Sequence, residues 1–222
     1  MNIRLYNAQI LTMEKGRDVF HGEIWIKNDK IVYISGGQEE KSEWNSYGMP
    51  HIQWDLEYDC KNNLLMPGFK NAHTHSAMTL FRSFADDVPL EQWLNEKVFP
   101  LEEKLTEDDI YEFTRLANLE YVTSGITSIF DMYINPDVTA DACMDSGMRC
   151  VLTSGLNNFT SSIEKQEDEY IRLNNRHPLI SYQLGFHAEY TCSKELLYDM
   201  TSLAHKYRAP VYMHLAETKK EV

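Results

Sequence analysis

Residues 106–132 read TEDDIYEFTRLANLEYVTSGITSIFDM and contain a helix signal followed directly by a strand signal. Thr106 is suited to the N-cap position, and Asp109 three residues later completes a loose capping box. Gly125 can end the helix, because glycine adopts positive φ without steric cost. The apolar run 126–132 then predicts a buried strand. The apolar residues expected on one face of the helix are Ile110, Phe113, Leu116 and Ala117.

The same alternation continues along the rest of the chain. Strands recur about every 30 residues, which is the usual size of a βαβ unit, and apolar strands with short links indicate a parallel sheet. With one strand before residue 70, the pattern predicts an α/β fold with about five units of a (β/α)8 barrel, which typically needs about 250 residues. The further strands are expected over 150–156, 179–188 and 209–217, and the helices between them over 136–148, 162–175 and 193–207.

The N-terminal part of the chain has a different pattern. Short runs of alternating apolar and polar residues predict strands. Residues 22–37, GEIWIKNDKIVYISGG, predict a hairpin that turns at Asn28 and Asp29. Two domains are therefore expected: a β segment over 1–62 and the first part of a barrel over 63–222.

The composition disfavours several classes of function. Hydrophobic residues make up 43% of the 222, enough for a core, and the net charge of −13 disfavours nucleic acid and anionic membranes as partners. The four cysteines are scattered, which predicts reduced thiols. The N-terminus lacks the apolar core of a signal peptide, and no apolar run reaches the roughly 18 residues of a membrane span. A cytoplasmic protein is expected.

Two histidines follow the first predicted barrel strand in LLMPGFKNAHTHSAMTLFR (64–82). His73 and His75 lie two residues apart, so an extended chain points both to the same face, where they could hold a metal. A pair of ordinary surface histidines is the alternative, because this spacing is common by chance. Pro67, Gly68 and the place at the first barrel strand favour the metal.

A third histidine and a carboxylate lie at the end of the last predicted strand, in VYMHLAET (211–218). Catalytic residues of (β/α)8 barrels gather at this end of the strands. His214 suits a third ligand, and Glu217 suits a general acid and base that takes a proton from an activated water. A buried structural histidine and a loop glutamate are the alternatives for each residue taken alone.

His187 also follows a strand, in LGFHAEYTCS (184–193). A contact to substrate and a hydrogen-bonded structural role fit it equally well. The same strand contains no lysine, whereas a second metal in such a site commonly needs a carbamylated lysine as a bridge. One metal is therefore favoured over two.

These segments, together with PGFKNAHTHSAMTLFRSFADD (67–87) and QWLNEKVFPLE (92–102), resemble the amidohydrolase superfamily. The branch that they resemble most contains the 5′-methylthioadenosine/S-adenosylhomocysteine deaminases, with guanine deaminases and triazine hydrolases as relatives. The resemblance runs in order from the N-terminal β segment to residue 222. It implies a (β/α)8 barrel with a small β-sandwich, and one divalent metal, zinc first and iron second.

The resemblance also implies roles for individual residues. His73, His75 and His214 would be metal ligands, and Glu217 would carry the proton to the ring and to the leaving amine. His187 would contact the substrate, a nucleoside or base. Glu102 of the PLE motif would hold ribose hydroxyls and Trp93 would form a wall of the pocket, although a surface charge and plain core packing are the respective alternatives.

This sequence departs from the pattern of that branch in two ways. Ser154, in TSGL, stands where an arginine is expected, which disfavours S-adenosylhomocysteine as the substrate. The family also uses a histidine after the sixth strand and an aspartate after the eighth, and the predicted strands number five. The resemblance therefore predicts a truncated chain that is inactive alone.

Other hypotheses remain open at this point. The chain could be a non-catalytic fragment, or half of a split enzyme that is completed by a second chain. A triazine-type hydrolase would use the same residues. A homo-oligomer is also open.

Overall fold

The computed structural model describes residues 1–35, 52–159, 162–219 and 221–222. These residues form two compact units, Met1–Pro67 and Gly68–Val222. Within the described ranges, no helix combines the length and the apolar character needed to cross a lipid bilayer.

The first unit is a five-stranded sheet. Its strands are β1 (Asn2–Ile10), β2 (Phe20–Lys27), β3 (Lys30–Ile34), β4 (Leu56–Asp59) and β5 (Leu64–Leu65). They are ordered β3-β2-β1-β4, and β5 pairs with β1. The predicted hairpin is confirmed as far as it is described: Lys27 pairs with Lys30, and Asn28 has a φ of 58° at the turn. Residues 36 and 37 of that prediction lie outside the described residues.

The second unit alternates strands and helices. Its strands are β6 (Phe69–Thr74), β7 (Ile126–Met132), β8 (Arg149–Thr153), β9 (Ile180–Tyr182), β10 (Leu184–Gly185) and β11 (Val211–Tyr212). Its α-helices are α1 (Leu90–Gln92), α2 (Phe99–Glu102), α3 (Glu107–Thr123), α4 (Pro136–Asp145), α5 (Ile163–Leu173) and α6 (Lys194–Tyr207). The chain also forms 3-10 turns over Ser76–Phe81 and Glu189–Thr191 and a π-helical segment over Trp93–Val98.

The parallel α/β architecture is confirmed. Strands β6, β7, β8 and β9 form one parallel sheet in chain order, and β10 pairs in parallel with β11. The predicted strand 179–188 is divided between β9 and β10 because one part pairs with β8 and the other with β11. The backbone N–H of Gln183, between them, still donates to Leu152 at 2.9 Å. The segment 180–185 thus joins its two neighbours, as a strand in a barrel wall must.

Helix α3 begins and ends as predicted, but one residue of its predicted apolar face is exposed. Thr106 and Asp109 form the capping box, and Gly125 has a φ of 78° after the helix. Ile110 and Ala117 are buried, whereas Leu116 is 42% exposed, so the prediction that Leu116 shares their face of the helix is wrong. The buried stripe also uses the polar positions Thr114 and Asn118. Leu116 precedes Ala117 by one residue, about 100° around the helix, which turns it away from the sheet.

Two apolar clusters support the sheet. The first packs α4 and α5 against β7, β8 and β9, and its largest members include Tyr182, Ile129 and Leu152. The second packs α6 against the β10 strand and the loop after β8, around Leu156, Phe186 and Met200. Strands β7 to β10 are therefore packed against helices, and the loops at the carboxyl ends of the strands are left to carry polar side chains.

Candidate metal centre

Three histidines from two distant parts of the chain meet at the carboxyl ends of the strands. His73 and His75 come from the end of β6, and His214 follows β11. Their ligand nitrogens all lie within 4.8 Å of one another. Their ring centroids are 5.0, 5.1 and 5.4 Å apart. These three residues form a group that could hold a metal ion, in the combination that the sequence predicts.

The backbone brings His214 to this position. The backbone N–H of His214 donates to the His187 carbonyl at 3.0 Å, and that of Phe186 donates to Tyr212 at 3.1 Å. These bonds continue the parallel ladder beyond β11. The ring of Tyr212, in β11, stacks on Phe130 of β7, and the Tyr212 hydroxyl donates to the Ala72 carbonyl of β6 at 2.7 Å. Strand β11 is thus bonded to β6, next to His73.

Hydrogen bonds at Nδ1 leave Nε2 of two histidines available to a metal. Nδ1 of His75 lies 2.5 Å from the Met132 carbonyl oxygen, and Nδ1 of His214 lies 2.8 Å from that of His187. A carbonyl oxygen accepts only, so each Nδ1 carries the proton and each Nε2 presents a lone pair. Metal-binding histidines in proteins are commonly oriented in this way. The donor set therefore fits a divalent metal that favours imidazole, such as zinc or iron.

The electrostatics of the cluster also favour neutral rings. Burial lowers the pKa of His75, and the nearby His214 and His73 lower it further, while the bond to Met132 opposes this. Burial also lowers the pKa of His73, followed by the effect of His214. Burial and the neighbouring imidazole thus both oppose a positive charge on His73 and on His75. A metal ligand must be neutral, so the cluster is prepared for a cation.

His187 lies beside the cluster, 5.1 Å from the His214 ring centre. The Thr191 hydroxyl donates to the Ala188 carbonyl at 2.9 Å, so it accepts from Nδ1 of His187 at 3.2 Å. Nε2 of His187 is then an acceptor. Burial, with His214 next, lowers the pKa of His187 to about 4. The ring is neutral at pH 7 and can accept a hydrogen bond from a ligand.

Glu217 is exposed at the same mouth. Its Oε2 accepts a hydrogen bond from the Tyr190 hydroxyl at 3.0 Å. Its negative charge acts on the pKa values of His73, His75 and His187, raising each of them against the effect of burial. The carboxylate is thus held by Tyr190 within electrostatic reach of the cluster. Sequence reasoning did not single out Tyr190, although it lies in the same motif as His187.

Glu102 and Trp93 lie on the segment that precedes α3. Glu102 is half-buried, and burial raises the pKa of its carboxyl next to the Tyr133 hydroxyl. Tyr133 directly follows Met132, whose carbonyl binds Nδ1 of His75, so Glu102 lies near this end of β7. Trp93 is half-buried, its Nε1 donates to the Phe84 carbonyl at 3.3 Å, and it shares an open cavity with His75 and Tyr121.

Ser154 stands where the resemblance places an arginine, and its surroundings are polar and closed. The residue is 7% exposed. Its hydroxyl and the Tyr182 hydroxyl are 2.7 Å apart, and Tyr182 donates in turn to the buried Glu169 at 2.7 Å. This serine is therefore engaged inside the protein rather than directed at a ligand.

Asp131, at the end of β7, gives a prediction for the pH dependence of stability. Asp131 is fully buried, and burial raises its pKa to about 6 from an ordinary value of 3.8. Between these pH values the folded state binds the proton more tightly than the unfolded state. The resulting stability is complete below about pH 4 and is lost as the pH rises through 6. From pH 4.5 to 7.5 the loss is about 2 kcal/mol.

The check is urea unfolding of the metal-free chain and of Asp131→Asn at both pH values. The variant lacks the titrating group, so its free energy of unfolding relative to the original chain should rise by about 2 kcal/mol between pH 4.5 and 7.5. Histidines contribute equally to both proteins and cancel in the difference. A difference that is the same at both pH values would show that Asp131 does not titrate in this way.

Comparison with known proteins agrees with the fold. Residues 64–222 match the sequence model of the amidohydrolase family. The chain therefore belongs to the amidohydrolase family. Its architecture is accordingly the (β/α)8 barrel fold of that family, of which the described strands form the first part.

Several relatives are deaminases by name. The chain is 36% identical over 223 residues to the 5-methylthioadenosine/S-adenosylhomocysteine deaminase of Caldicellulosiruptor saccharolyticus, covering 100% of this chain and 50% of the relative. It is 43% identical over 211 residues to the 5′-deoxyadenosine deaminase of Methanocaldococcus jannaschii, covering 90% and 47%. The predicted branch of the family is thus confirmed, and the chain spans about half the length of these relatives.

A solved structure has a similar fold. The chain superposes on an adenosine deaminase from Xanthomonas campestris, solved with bound zinc, with a TM-score of 0.80 and 26% identity. The match covers 99% of this chain and 50% of that protein.

Proposed function

We propose that the whole protein is a metal-dependent hydrolytic deaminase of an adenine-type nucleoside. The observation that carries the proposal is the convergence of His73, His75 and His214, with ligand nitrogens within 4.8 Å of one another, beside the carboxylate of Glu217. The names of the relatives support the reaction class, since they are deaminases of 5-methylthioadenosine, S-adenosylhomocysteine and 5′-deoxyadenosine.

In this proposal His73, His75 and His214 hold one divalent ion, which we take to be zinc. When bound, such an ion lowers the pKa of water to about 7 and so makes a nucleophile available at neutral pH. A set of three histidines is a common catalytic zinc site, and the zinc in the Xanthomonas campestris relative supports this choice of metal. Iron is the alternative.

Glu217 moves the proton in the proposed reaction. Its carboxylate takes a proton as the water oxygen bonds to the ring carbon that carries the amine, and passes it to the ring nitrogen. The hydroxyl now on that carbon gives up its own proton, which passes to the amine; the carbon–nitrogen bond then breaks, so ammonia leaves and the hydroxyl oxygen remains as a carbonyl on the ring. The exposed position of Glu217 beside the cluster and its hydrogen bond from Tyr190 support this role.

Three further residues would bind the substrate. His187 is neutral and its Nε2 is an acceptor, which suits an N–H of the purine or of its amine. Trp93 shares a cavity with His75 and would pack against the substrate. Glu102, half-buried near the same strand end, would accept hydrogen bonds from ribose hydroxyls.

The surroundings of Ser154 favour substrates that lack a carboxylate. S-adenosylhomocysteine carries an amino acid group, and an arginine is the side chain best suited to bind its carboxylate in a two-bond pair. Ser154 is instead buried and bonded to Tyr182. We therefore place 5′-deoxyadenosine and 5′-methylthioadenosine ahead of S-adenosylhomocysteine.

The test measures ammonia release by the zinc-loaded whole protein, and chloride release for the triazine. The panel contains 5′-deoxyadenosine, 5′-methylthioadenosine, adenosine, S-adenosylhomocysteine, guanine and a chlorinated triazine, each with and without a chelator. We expect chelator-sensitive turnover of the adenine nucleosides, with a higher kcat/KM for the first two than for S-adenosylhomocysteine. No turnover of any adenine nucleoside would refute the proposal. Turnover confined to the triazine would favour the triazine-type alternative.

A further inference from the structure

We propose that Tyr121 and Asp131 are positioning residues that hold the segment His73–Ser76 in its metal-binding conformation. We call these two residues the Tyr121–Asp131 clamp. The inference rests on the proposed metal site, because it assigns a supporting role to residues that surround it.

Tyr121 contacts the chain on both sides of His75. The residue lies on α3, and its ring packs against the first apolar cluster. Its hydroxyl oxygen lies 2.5 Å from Oγ1 of Thr74 and 3.2 Å from Oγ of Ser76. One phenol therefore joins both neighbours of His75, from a helix 45 residues farther along the chain.

Asp131 fixes the backbone directly after His75. Its Oδ2 accepts a hydrogen bond from the Ser76 N–H at 3.0 Å, and both residues are buried. The next residue, Met132, supplies the carbonyl that binds Nδ1 of His75. Two consecutive residues at the end of β7 thus control the backbone after His75 and the tautomer of its ring.

The segment needs this support because regular pairing stops there. The register of β6 with β7 shifts between Asn71 and Thr74, so His73 lies in the irregular part of the strand. The 3-10 turn at Ser76 starts after His75, whose side chain does not cap it. Without Asp131, the buried N–H of Ser76 would lose this acceptor, and an unpaired buried N–H costs about 1–3 kcal/mol.

We expect this support to increase the affinity of the site for the metal. Ligands that are already held in place bind a metal without a further loss of conformational freedom. Changing residues that orient metal ligands typically weakens metal binding by about 10–100-fold. A residue that only stabilises the fold would instead lower the stability of the metal-free chain and leave the affinity unchanged.

The test compares Tyr121→Phe with Tyr111→Phe. Tyr111 lies on the same helix, and its hydroxyl also donates to a side chain, Asp145, at 2.6 Å, but this exposed hydrogen bond involves no residue of the His73–Ser76 segment. Zinc affinity of the full chain is measured by competition with a chromophoric chelator. Cobalt substitution reports the ligand geometry by its visible absorption, and thermal unfolding of the metal-free chain reports stability.

We expect Tyr121→Phe to weaken zinc binding by about 10–100-fold and to change the cobalt spectrum, while Tyr111→Phe binds as the original chain does. Asp131→Ala should weaken binding similarly. Asp131→Asn retains an oxygen that can accept from Ser76 and should restore most of the affinity. If Asp131→Ala fails to fold, Tyr121→Phe alone decides the question.

The outcomes separate this inference from the proposed function. If the original chain binds zinc and Tyr121→Phe binds equally tightly with the same cobalt spectrum, the clamp is refuted and the metal site stands. If the original chain itself binds no zinc, the proposed metal site is refuted together with the clamp.

Discussion

Replacing His214 with alanine is expected to weaken zinc binding by about 10²–10³-fold. The change removes one of three imidazoles whose ligand nitrogens lie within 4.8 Å of one another. Structural zinc sites with four ligands bind with about 10–16 kcal/mol, so one ligand is worth about 2.5–4 kcal/mol, or about 10²–10³-fold in affinity. His73 and His75 remain, but they come from one strand end and cannot enclose the ion. The measurement is chelator competition, followed by metal analysis of the dialysed protein.

The matched control for this variant is His205→Ala. His205 is exposed on α6 and belongs to the last turn of that helix. Its loss should leave zinc affinity within about twofold, as expected for a surface change away from the ligands. If His214→Ala retained the affinity of the original chain, the three histidines would not be the metal site.

Most of the metal site could be predicted from the sequence because it depends on topology. His73 and His75 share a face by the period of a strand, whatever their surroundings are. His214 follows a different strand, and parallel strands direct their carboxyl ends to the same edge of the sheet. The sequence therefore predicts that ligands separated by some 140 residues lie close together. The hydrogen bond from the Tyr212 hydroxyl to the Ala72 carbonyl joins the same two parts of the chain.

The residues around the ligands could not be predicted in the same way. In the sequence, Tyr121 is indistinguishable from other residues of an amphipathic helix. Its contacts with Thr74 and Ser76 depend on how that helix packs against the sheet. Asp131 lies at the end of the predicted strand 126–132, where a helix-capping role is as consistent with the sequence as a role at the site. The prediction for Leu116, which is exposed, failed for the same reason, because hydrophobicity alone does not fix which face of a helix packs against a sheet.

Replacing Glu217 with glutamine in the whole protein is expected to lower kcat by about 10²–10⁴-fold, the usual contribution of a general acid and base. Glutamine has the same size and can still accept a hydrogen bond from Tyr190, which donates to Glu217 at 3.0 Å. It cannot take up a proton at neutral pH. The reaction would then lose its proton carrier while the shape of the site is retained, so KM for 5′-deoxyadenosine should change little.

Metal affinity distinguishes this role of Glu217 from that of a ligand. Glu217 lies outside the histidine group that could hold the ion, so Glu217→Gln should bind zinc within about threefold of the original protein. Glu195→Gln, an exposed change at the start of α6, is the control for removing one negative charge. A loss of kcat with unchanged zinc affinity would support proton transfer by Glu217. Unchanged kcat would show that another group moves the proton, and a parallel loss of zinc would make Glu217 part of the metal site.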